Sequence, residues 1–285
     1  MTKVDLFESL FRSADKPIFV REPPVIANIA LVTDLGDSDA DALLAQVRSF
    51  LAAVDTDTTR WATIGEADFS SVQTLLERIE AVGPDLIVTY RHLKSGAWRW
   101  PFSLGEYLDV LTQAISVPVI VLPHPDADHA LPHSVRDTDN VMAITDHLAG
   151  DNRIVNYALA FTSEGGTCWL THIESGPSYE RYMDAISKIP GIDTETARLE
   201  IAAQLLKEPR DFIHRAKAAI QVERRAVRVE AITTMGRRLD EYKHLIDTHS
   251  VDLLVLHTKD EDQLAMHGLA YPLAVEMRQI PLLLL

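Results

Sequence analysis

The sequence predicts an α/β fold made of two tandem open parallel sheets with helices on both faces. Short apolar runs typical of buried strands alternate with longer segments whose apolar residues recur at helical spacing. This alternation favours parallel strands, because a helix usually carries the chain back before the next parallel strand begins. The length of 285 residues suits two compact units, and an internal repeat indicates that the same pattern occurs twice.

Matching strand segments carry the repeat and keep the same order in both copies. Residues 28–34 (NIALVTD) are answered by residues 140–146 (NVMAITD), and DLIV from Asp85 corresponds to DLLV from Asp252. Between these matches, we align three residues of the first copy with three of the second: Thr59, Trp61 and Thr63 with Thr167, Trp169 and Thr171. The repeat predicts two superimposable strand arrangements.

The last match also shows how the two copies differ in length. Gly105 precedes the apolar run 117–122 by the same interval that separates Gly268 from the run 280–285. The interval from Asp34 to Asp85, however, is only about half of that from Asp146 to Asp252. We therefore expect the first copy to lack about one helix and one outer strand.

These signals divide the chain into four parts. We expect an N-terminal extension with a short helix at 1–27, a shortened domain at 28–122, a proline-containing linker at 123–139 and a complete domain at 140–285. Expected strands lie near 28–34, 59–65, 85–90, 117–122, 141–146, 167–173, 226–233, 251–257 and 281–285. Expected helices lie near 39–54, 69–82, 103–115, 151–164, 194–222, 237–249 and 268–278.

Composition narrows the classes of partner. A formal charge of -15 repels phosphate backbones and anionic lipid, so we expect neither nucleic acid nor a membrane as a partner. The single cysteine, Cys168, excludes an intrachain disulfide framework and a multi-thiolate metal site. A reducing, cytoplasmic location fits this cysteine content.

Together these segments resemble the universal stress protein family. The resemblance rests on a first strand ending in Thr-Asp, on CWLTHI at 168–173, on VDLLVL at 251–256, on Gly268 and on the closing IPLLLL. It implies a strand order 3-2-1-4-5 in each domain, with the domains related by a pseudo-two-fold axis and paired through their last strands, 119–122 and 282–285. It also implies a stress-response or regulatory protein with unidentified protein partners, an internal pseudo-dimer that could form a homodimer, and no catalytic residues.

The resemblance further implies where a nucleotide such as ATP or AMP would bind. Family members hold the base or ribose with an Asp at the end of the first strand, a position that Asp34 and Asp146 occupy here. A loop of pattern G-x2-G-x9-G-[ST] cradles the phosphates, and the second copy departs from it with His257, Asp260 and Gly268-Leu269. Phosphate binding is therefore expected to be degenerate in the second copy.

The corresponding loop of the first copy lacks the early glycines but carries basic side chains. Tyr90 and Leu93 occupy the glycine positions, and basic side chains nearby could replace the missing backbone donors. Trp98 and Trp100 could alternatively make this a solvated loop that covers the core. The residues predicted to bind a nucleotide or another small phosphorylated ligand are Asp34, Arg91, Lys94, Gly96, Gly105, Asp146 and Gly268.

Other interpretations stay open from the residues alone. The chain could be a hydrolase acting on a nucleotide or nucleoside through Asp34 and the neighbouring acidic or basic loops. The acidic run Asp34, Asp37, Asp39 and Asp41 resembles the calcium-binding opening of nucleoside hydrolases, or Ser38 or Asp39 could cap a helix. Three linker histidines could bind a transition metal or be hydrated: His124, His129 and His133.

Overall fold

The structure is a computed structural model that describes residues 19–100, 103–127, 130–144, 151–222, 226–258 and 270–285. A single nine-stranded sheet runs through the described residues. Numbered β1 to β9 in chain order, the strands lie side by side in the order β2-β1-β3-β4-β9-β8-β5-β6-β7. All neighbouring pairs are parallel except β4 and β9, which are antiparallel. The predicted α/β class is confirmed, and the two predicted sheets form one continuous sheet in the described chain because their last strands, 119–122 and 282–284, pair with each other.

The elements of the described chain follow one another in the alternating pattern that the sequence predicts. The strands are β1 Asn28–Val32, β2 Arg60–Ile64, β3 Leu86–Tyr90, β4 Val119–Leu122, β5 Asn140–Ile144, β6 Thr167–Ser175, β7 Arg228–Gly236, β8 Leu253–Leu256 and β9 Leu282–Leu284. The α-helices are α1 Asp37–Phe50, α2 Val72–Val82, α3 Glu106–Ala114, α4 Asn152–Phe161, α5 Gly176–Ile186, α6 Thr194–Val222, α7 Arg238–His249 and α8 Ala270–Glu276. Helix α5 has no counterpart among the predicted helices.

Burial along the sheet explains why its central strands are almost purely apolar. Every residue of β3, β4, β8 and β9 is buried, whereas the outer strands β2 and β7 each have one buried residue and are otherwise partly or fully exposed. Strands covered on both faces need apolar side chains throughout, because neither face reaches water. The core therefore runs through the centre of the sheet.

The antiparallel ladder between β4 and β9 joins the two halves of the sheet. Val119 pairs with Leu284, Ile120 with Leu283, and Val121 with Leu282. Because Ile120 and Leu283 are themselves counterparts in the repeat, the ladder is symmetric about their pair. Each half thus covers the apolar edge strand that the other would otherwise expose to water.

Matching carboxylates anchor the first strand of each half. Asp85 Oδ2 accepts a hydrogen bond from the Asn28 amide at 2.9 Å, and Asp252 Oδ2 accepts one from the Asn140 amide at 2.8 Å. The backbone N–H groups of Asp85 and Asp252 in turn donate to the carbonyls of the same two asparagines, both at 2.8 Å. The repeat therefore preserves a local hydrogen-bonding unit as well as a strand pattern.

One part of the predicted repeat alignment is wrong by one residue. In β2, Trp61 pairs with Ile29, but in β6 it is Cys168 that pairs with Val141, the counterpart of Ile29. A shift of one residue moves a strand side chain to the other face of the sheet. Accordingly, the indole N–H of Trp61 donates to Asp55 at 3.0 Å, whereas Trp169 stacks on His249 of α7.

The two segments that precede β1 and β5 pack against the second half. Before β1, the Asn156 side chain of α4 accepts from the Glu22 amide at 3.0 Å and donates to the Val20 carbonyl at 2.9 Å. Before β5, the Leu131 amide donates to the Gln279 carbonyl at 3.0 Å. The short helix predicted within 1–27 falls mostly outside the described residues.

Among the described helices, none combines the length and the apolar composition that a bilayer span requires.

Asp252 makes stability depend on pH. Burial raises the pKa of this carboxyl from 3.8 to about 7, so between about pH 4 and 7 the folded chain holds a proton that the unfolded chain has released. The free energy of unfolding therefore decreases as pH rises through this window. Asp252→Asn keeps an acceptor for the Asn140 amide, and urea titrations from pH 4 to 7 should show a flatter pH dependence. The less buried counterpart provides the control: a change as large in Asp85→Asn would contradict the assignment.

Candidate functional site

Asp34 lies at the carboxyl edge of the parallel sheet, two residues after β1 ends. Strand β3 is the neighbour of β1, with Leu31 paired to Val88, so its last residue, Tyr90, comes to the same edge. Open parallel sheets bind ligands at this edge, near the point where the winding direction changes. The topology therefore places Asp34 in a position suited to a ligand.

The Tyr90 hydroxyl is the centre of a hydrogen-bond network around Asp34. It donates to Asp34 Oδ1, lies 2.8 Å from Thr33 Oγ1, and accepts from the Asp34 amide at 3.0 Å. Burial, reinforced by the hydrogen bond to Asp34, raises the pKa of Tyr90 well above that of a free phenol. The phenol therefore stays protonated at neutral pH and acts as a fixed donor to the carboxylate.

The loop after β3 folds back over Asp34 and engages its second oxygen. The backbone N–H of Lys94 donates to Asp34 Oδ2. The Lys94 ammonium donates to the Glu66 carbonyl at 2.9 Å and lies 4.7 Å from the centre of the Phe69 ring. Both oxygens of Asp34 are thus used by residues of the first half, and Asp34 does not cap α1.

Backbone geometry shows that this loop is held in an unfavourable conformation. His92 and Lys94 have φ angles of 60° and 56°, in the left-handed region that side chains with a Cβ rarely adopt. Gly105, which precedes α3 with φ 92°, packs against the loop so closely that a Cβ would lie 2.8 Å from the His92 Cα. A glycine is therefore required here to seat the loop.

Arg91 lies inside the protein instead of at the ligand edge. Its guanidinium donates through Nη2 to the Met277 carbonyl at 2.7 Å and through Nη2 and Nε to the Ala274 carbonyl, at the end of α8. Burial, with a smaller effect of the Arg278 charge, lowers its pKa to about 9. Arg91, which the sequence predicts to bind a ligand, therefore joins the first half of the chain to the second.

The remainder of the basic loop forms an aromatic surface layer. Gly96 begins a short 3-10 helix ending at Arg99, whose guanidinium lies 4.5 Å above the Trp98 ring. Trp98 stacks on His124, while Trp100 is 61% exposed. Thus Trp98 covers neighbouring residues as the solvated-loop interpretation expects, whereas Trp100 does not.

The acidic run and the linker histidines do not form a metal site within the described residues, and His129 lies outside these. Helix α1 begins at Asp37 after Gly36, with no side-chain cap, so the expected capping by Ser38 or Asp39 is wrong. The His124 ring accepts from the Asp126 amide at 3.2 Å, and that of His133 lies 3.2 Å from the Val251 carbonyl. Within the described ranges, no three His, Cys, Asp or Glu residues converge as metal ligands.

The second half presents a different arrangement at the equivalent edge. Asp146 and Gly268, two of the predicted ligand residues, lie outside the described residues. His257, the counterpart of Tyr90, lies 2.9 Å from Asp151, whose carboxylate also caps α4 by accepting from the Ile154 amide. The tyrosine network of the first half is therefore not repeated.

Sequence reasoning brought together Asp34 and Lys94 but missed Tyr90 as a functional residue. In the sequence pattern Tyr90 stands out only because it occupies a glycine position of the family's loop. The sequence does contain a signal for the contact between Tyr90 and Asp34. Strands β1 and β3 are expected neighbours, so the polar side chains at their carboxyl ends meet at the same edge of the sheet.

Asp34→Asn should open the loop. The two donors reach different oxygens of Asp34, and asparagine has an NH2 group in place of one of them, so either the Tyr90 hydroxyl or the Lys94 N–H loses its acceptor at residue 34. We expect the free energy of unfolding to decrease by about 1–3 kcal/mol. Hydrogen exchange at Lys94 should also accelerate. Asp41→Asn, at an exposed position of α1, is the control, and equal stability of the two variants would contradict the network.

Two solved structures share this fold. A protein assigned as a universal stress protein from Pseudomonas aeruginosa UCBPP-PA14 is 14% identical with a TM-score of 0.55, covering 92% of this chain and 94% of that chain. A functionally unknown protein from Pseudomonas aeruginosa PAO1 is 14% identical with a TM-score of 0.53, covering 92% and 93%. No family model and no curated protein matches the sequence. The predicted universal stress protein-like fold is confirmed.

Proposed function

We propose that this chain is a cytoplasmic stress-response regulator of the universal stress protein type, which acts by binding a ligand and not by turnover. The proposed ligand is a nucleotide or other small phosphorylated molecule that binds beside Asp34. Residues 28–122 and 140–285 would act as two domains, with only the first retaining the site. The observation that carries the proposal is the closed loop over Asp34. In this loop the Lys94 N–H donates to the Asp34 oxygen that a ribose hydroxyl of a nucleotide would engage instead.

The hydrogen bonds of Asp34 support a binding role. Its two oxygens accept from Tyr90 and from the Lys94 amide, so the carboxylate is engaged and poorly placed to act as a general base. A ribose hydroxyl is a donor that could replace the Lys94 amide at Oδ2. The carboxylate would then fix the sugar, while Tyr90 continued to hold Oδ1.

The strained loop supports exchange between closed and ligand-bound states. Left-handed backbone costs roughly 1–2 kcal/mol per residue with a Cβ, and such strain persists when surrounding contacts hold it. Releasing His92 and Lys94 would recover part of this cost. It would also free the Lys94 ammonium from the Glu66 carbonyl to contact a phosphate.

Nearby carboxylates favour a ligand with few phosphates. Glu106 and Asp109 lie in the first turn of α3, immediately after Gly105. These side chains oppose the attraction that a helix N-terminus otherwise has for anions. We therefore expect AMP to bind more tightly than ATP.

Thermal shift with AMP and ATP tests this proposal. A ligand at a hundred times its dissociation constant adds about 2.7 kcal/mol to the free energy of unfolding. AMP should stabilise the chain, and Lys94→Gln should weaken AMP binding by about tenfold while Lys188→Gln, at an exposed position of the second half, leaves it unchanged. Failure of both nucleotides to stabilise the chain would refute the ligand class.

A phosphate-release assay on the same samples separates binding from hydrolysis. A stabilised complex without phosphate release is the expected result. Steady release that depends on Asp34 would instead support the alternative hydrolase acting on nucleotides.

A further inference from the structure

The two halves of helix α6 differ in how deeply they are buried. The helix has 29 residues, with Pro209 near its middle. After this proline α6 packs on the sheet, and Phe212, Ile213 and Ala216 are fully buried. Before the proline, none of the residues 194–208 is buried. The first half of α6 therefore lies largely outside the core.

One apolar stripe runs along both halves of this helix. Its members follow one another at alternating intervals of three and four residues: Leu199, Ala202, Leu206, Pro209, Ile213, Ala216 and Ile220. This seven-residue repeat sets them on one face, and it is the pattern by which one helix packs along another. The members from Pro209 onwards are buried, whereas Ala202 and Leu206 are partly exposed and Leu199 is 73% exposed. The stripe thus continues beyond the sheet that covers its second half.

Helix α5 covers a neighbouring face of the first half of α6. The Tyr179 hydroxyl of α5 donates to the Arg198 carbonyl at 2.6 Å. Helical spacing places Ile201 and Leu205 on the same side of α6 as Arg198. The start of the stripe lies outside this contact, as the exposure of Leu199 shows. A stripe of this kind is stabilised when a second helix covers it.

The exposed part of the stripe is flanked by neutral and basic residues. On the seven-residue repeat, the flanking positions from 196 to 210 hold Thr196, Arg198, Ala203, Leu205 and Arg210. Glu200 and Glu208 fall on the opposite face of the helix. The chain carries a formal charge of -15, so most of its surface would repel a second copy. At this stripe two copies can meet without bringing carboxylates together.

The stripe also fits a second copy of itself when the two helices run antiparallel. Ala202 of each chain then lies opposite Leu206 of the other, because the residue order is reversed. A large side chain meets a small one in both layers, which lets the helices interdigitate. Parallel helices would instead set leucine against leucine and alanine against alanine. The pattern therefore favours a symmetric antiparallel pair.

We propose that the chain forms a homodimer through the first half of α6, with this helix of each copy packed antiparallel along that of the other. Leu199 of each copy is covered by the other copy's helix. The overlap from 199 to 209 is only about 15 Å long, which is short for a protein interface. The dimer therefore dissociates on dilution.

Sedimentation equilibrium of the full chain tests the dimer. The unmodified chain should associate reversibly, and Leu199→Glu should weaken association by at least about tenfold because it brings a carboxylate from each copy into the apolar contact. Leu199 is exposed in the single chain, so the variant should unfold at the same temperature as the unmodified chain.

Gln204→Glu is the matched control for Leu199→Glu. It adds the same charge to the same half of α6, at an exposed position on the opposite face, and should associate as the unmodified chain does. A chain that stays monomeric at every concentration would overturn the proposal. So would equal association of the two variants.

Cysteine pairing tests the direction of the two helices. In a Cys168→Ala background, chains with Ala202→Cys are mixed with chains with Leu206→Cys and oxidised. The antiparallel pair predicts mixed disulfides between the two variants, because these positions face each other. Mass spectrometry measures the yields. An excess of disulfides that join a variant to itself, or a lack of any disulfide, would contradict the antiparallel contact.

Discussion

The antiparallel pairing of β4 with β9 is the constraint on which the rest of the structure depends. Both strands are wholly buried and apolar, so either one left as a sheet edge would be a site for aggregation. Their pairing turns two incomplete sheets into one and places the halves in a symmetric relation. The contacts of Arg91 with the end of α8 exist only because this ladder brings the halves together.

The candidate site beside Asp34 coincides with a departure from this symmetry. Tyr90 builds a network around Asp34, whereas its counterpart His257 contacts Asp151. Arg91 donates to the Met277 carbonyl at the end of α8, whereas its counterpart Thr258 donates to the Leu285 carbonyl. The core strands conserve the duplicated fold, while the residues just after the strands distinguish the two halves chemically.

Much of the fold could be predicted from the sequence, because strand spacing and the repeat depend on local pattern. Helix α6, for instance, has the bounds 194–222 that its composition predicts. The register of Trp61 could not be predicted, since a similar residue pattern fits both faces of β2. The roles of Arg91 and Tyr90 depend on contacts with residues distant along the chain, and loop composition does not reveal such contacts.

Cross-linking across the ladder tests the central claim most directly. In a Cys168→Ala background, Ile120→Cys combined with Leu283→Cys places two thiols on directly opposed residues, at a separation suited to a disulfide. Ile120→Cys with Leu282→Cys places them on opposite faces of the sheet. The structure predicts efficient intramolecular oxidation of the first pair and little of the second, quantified by mass spectrometry. If the second pair oxidised more than the first, or if neither pair oxidised, the shared sheet would be contradicted.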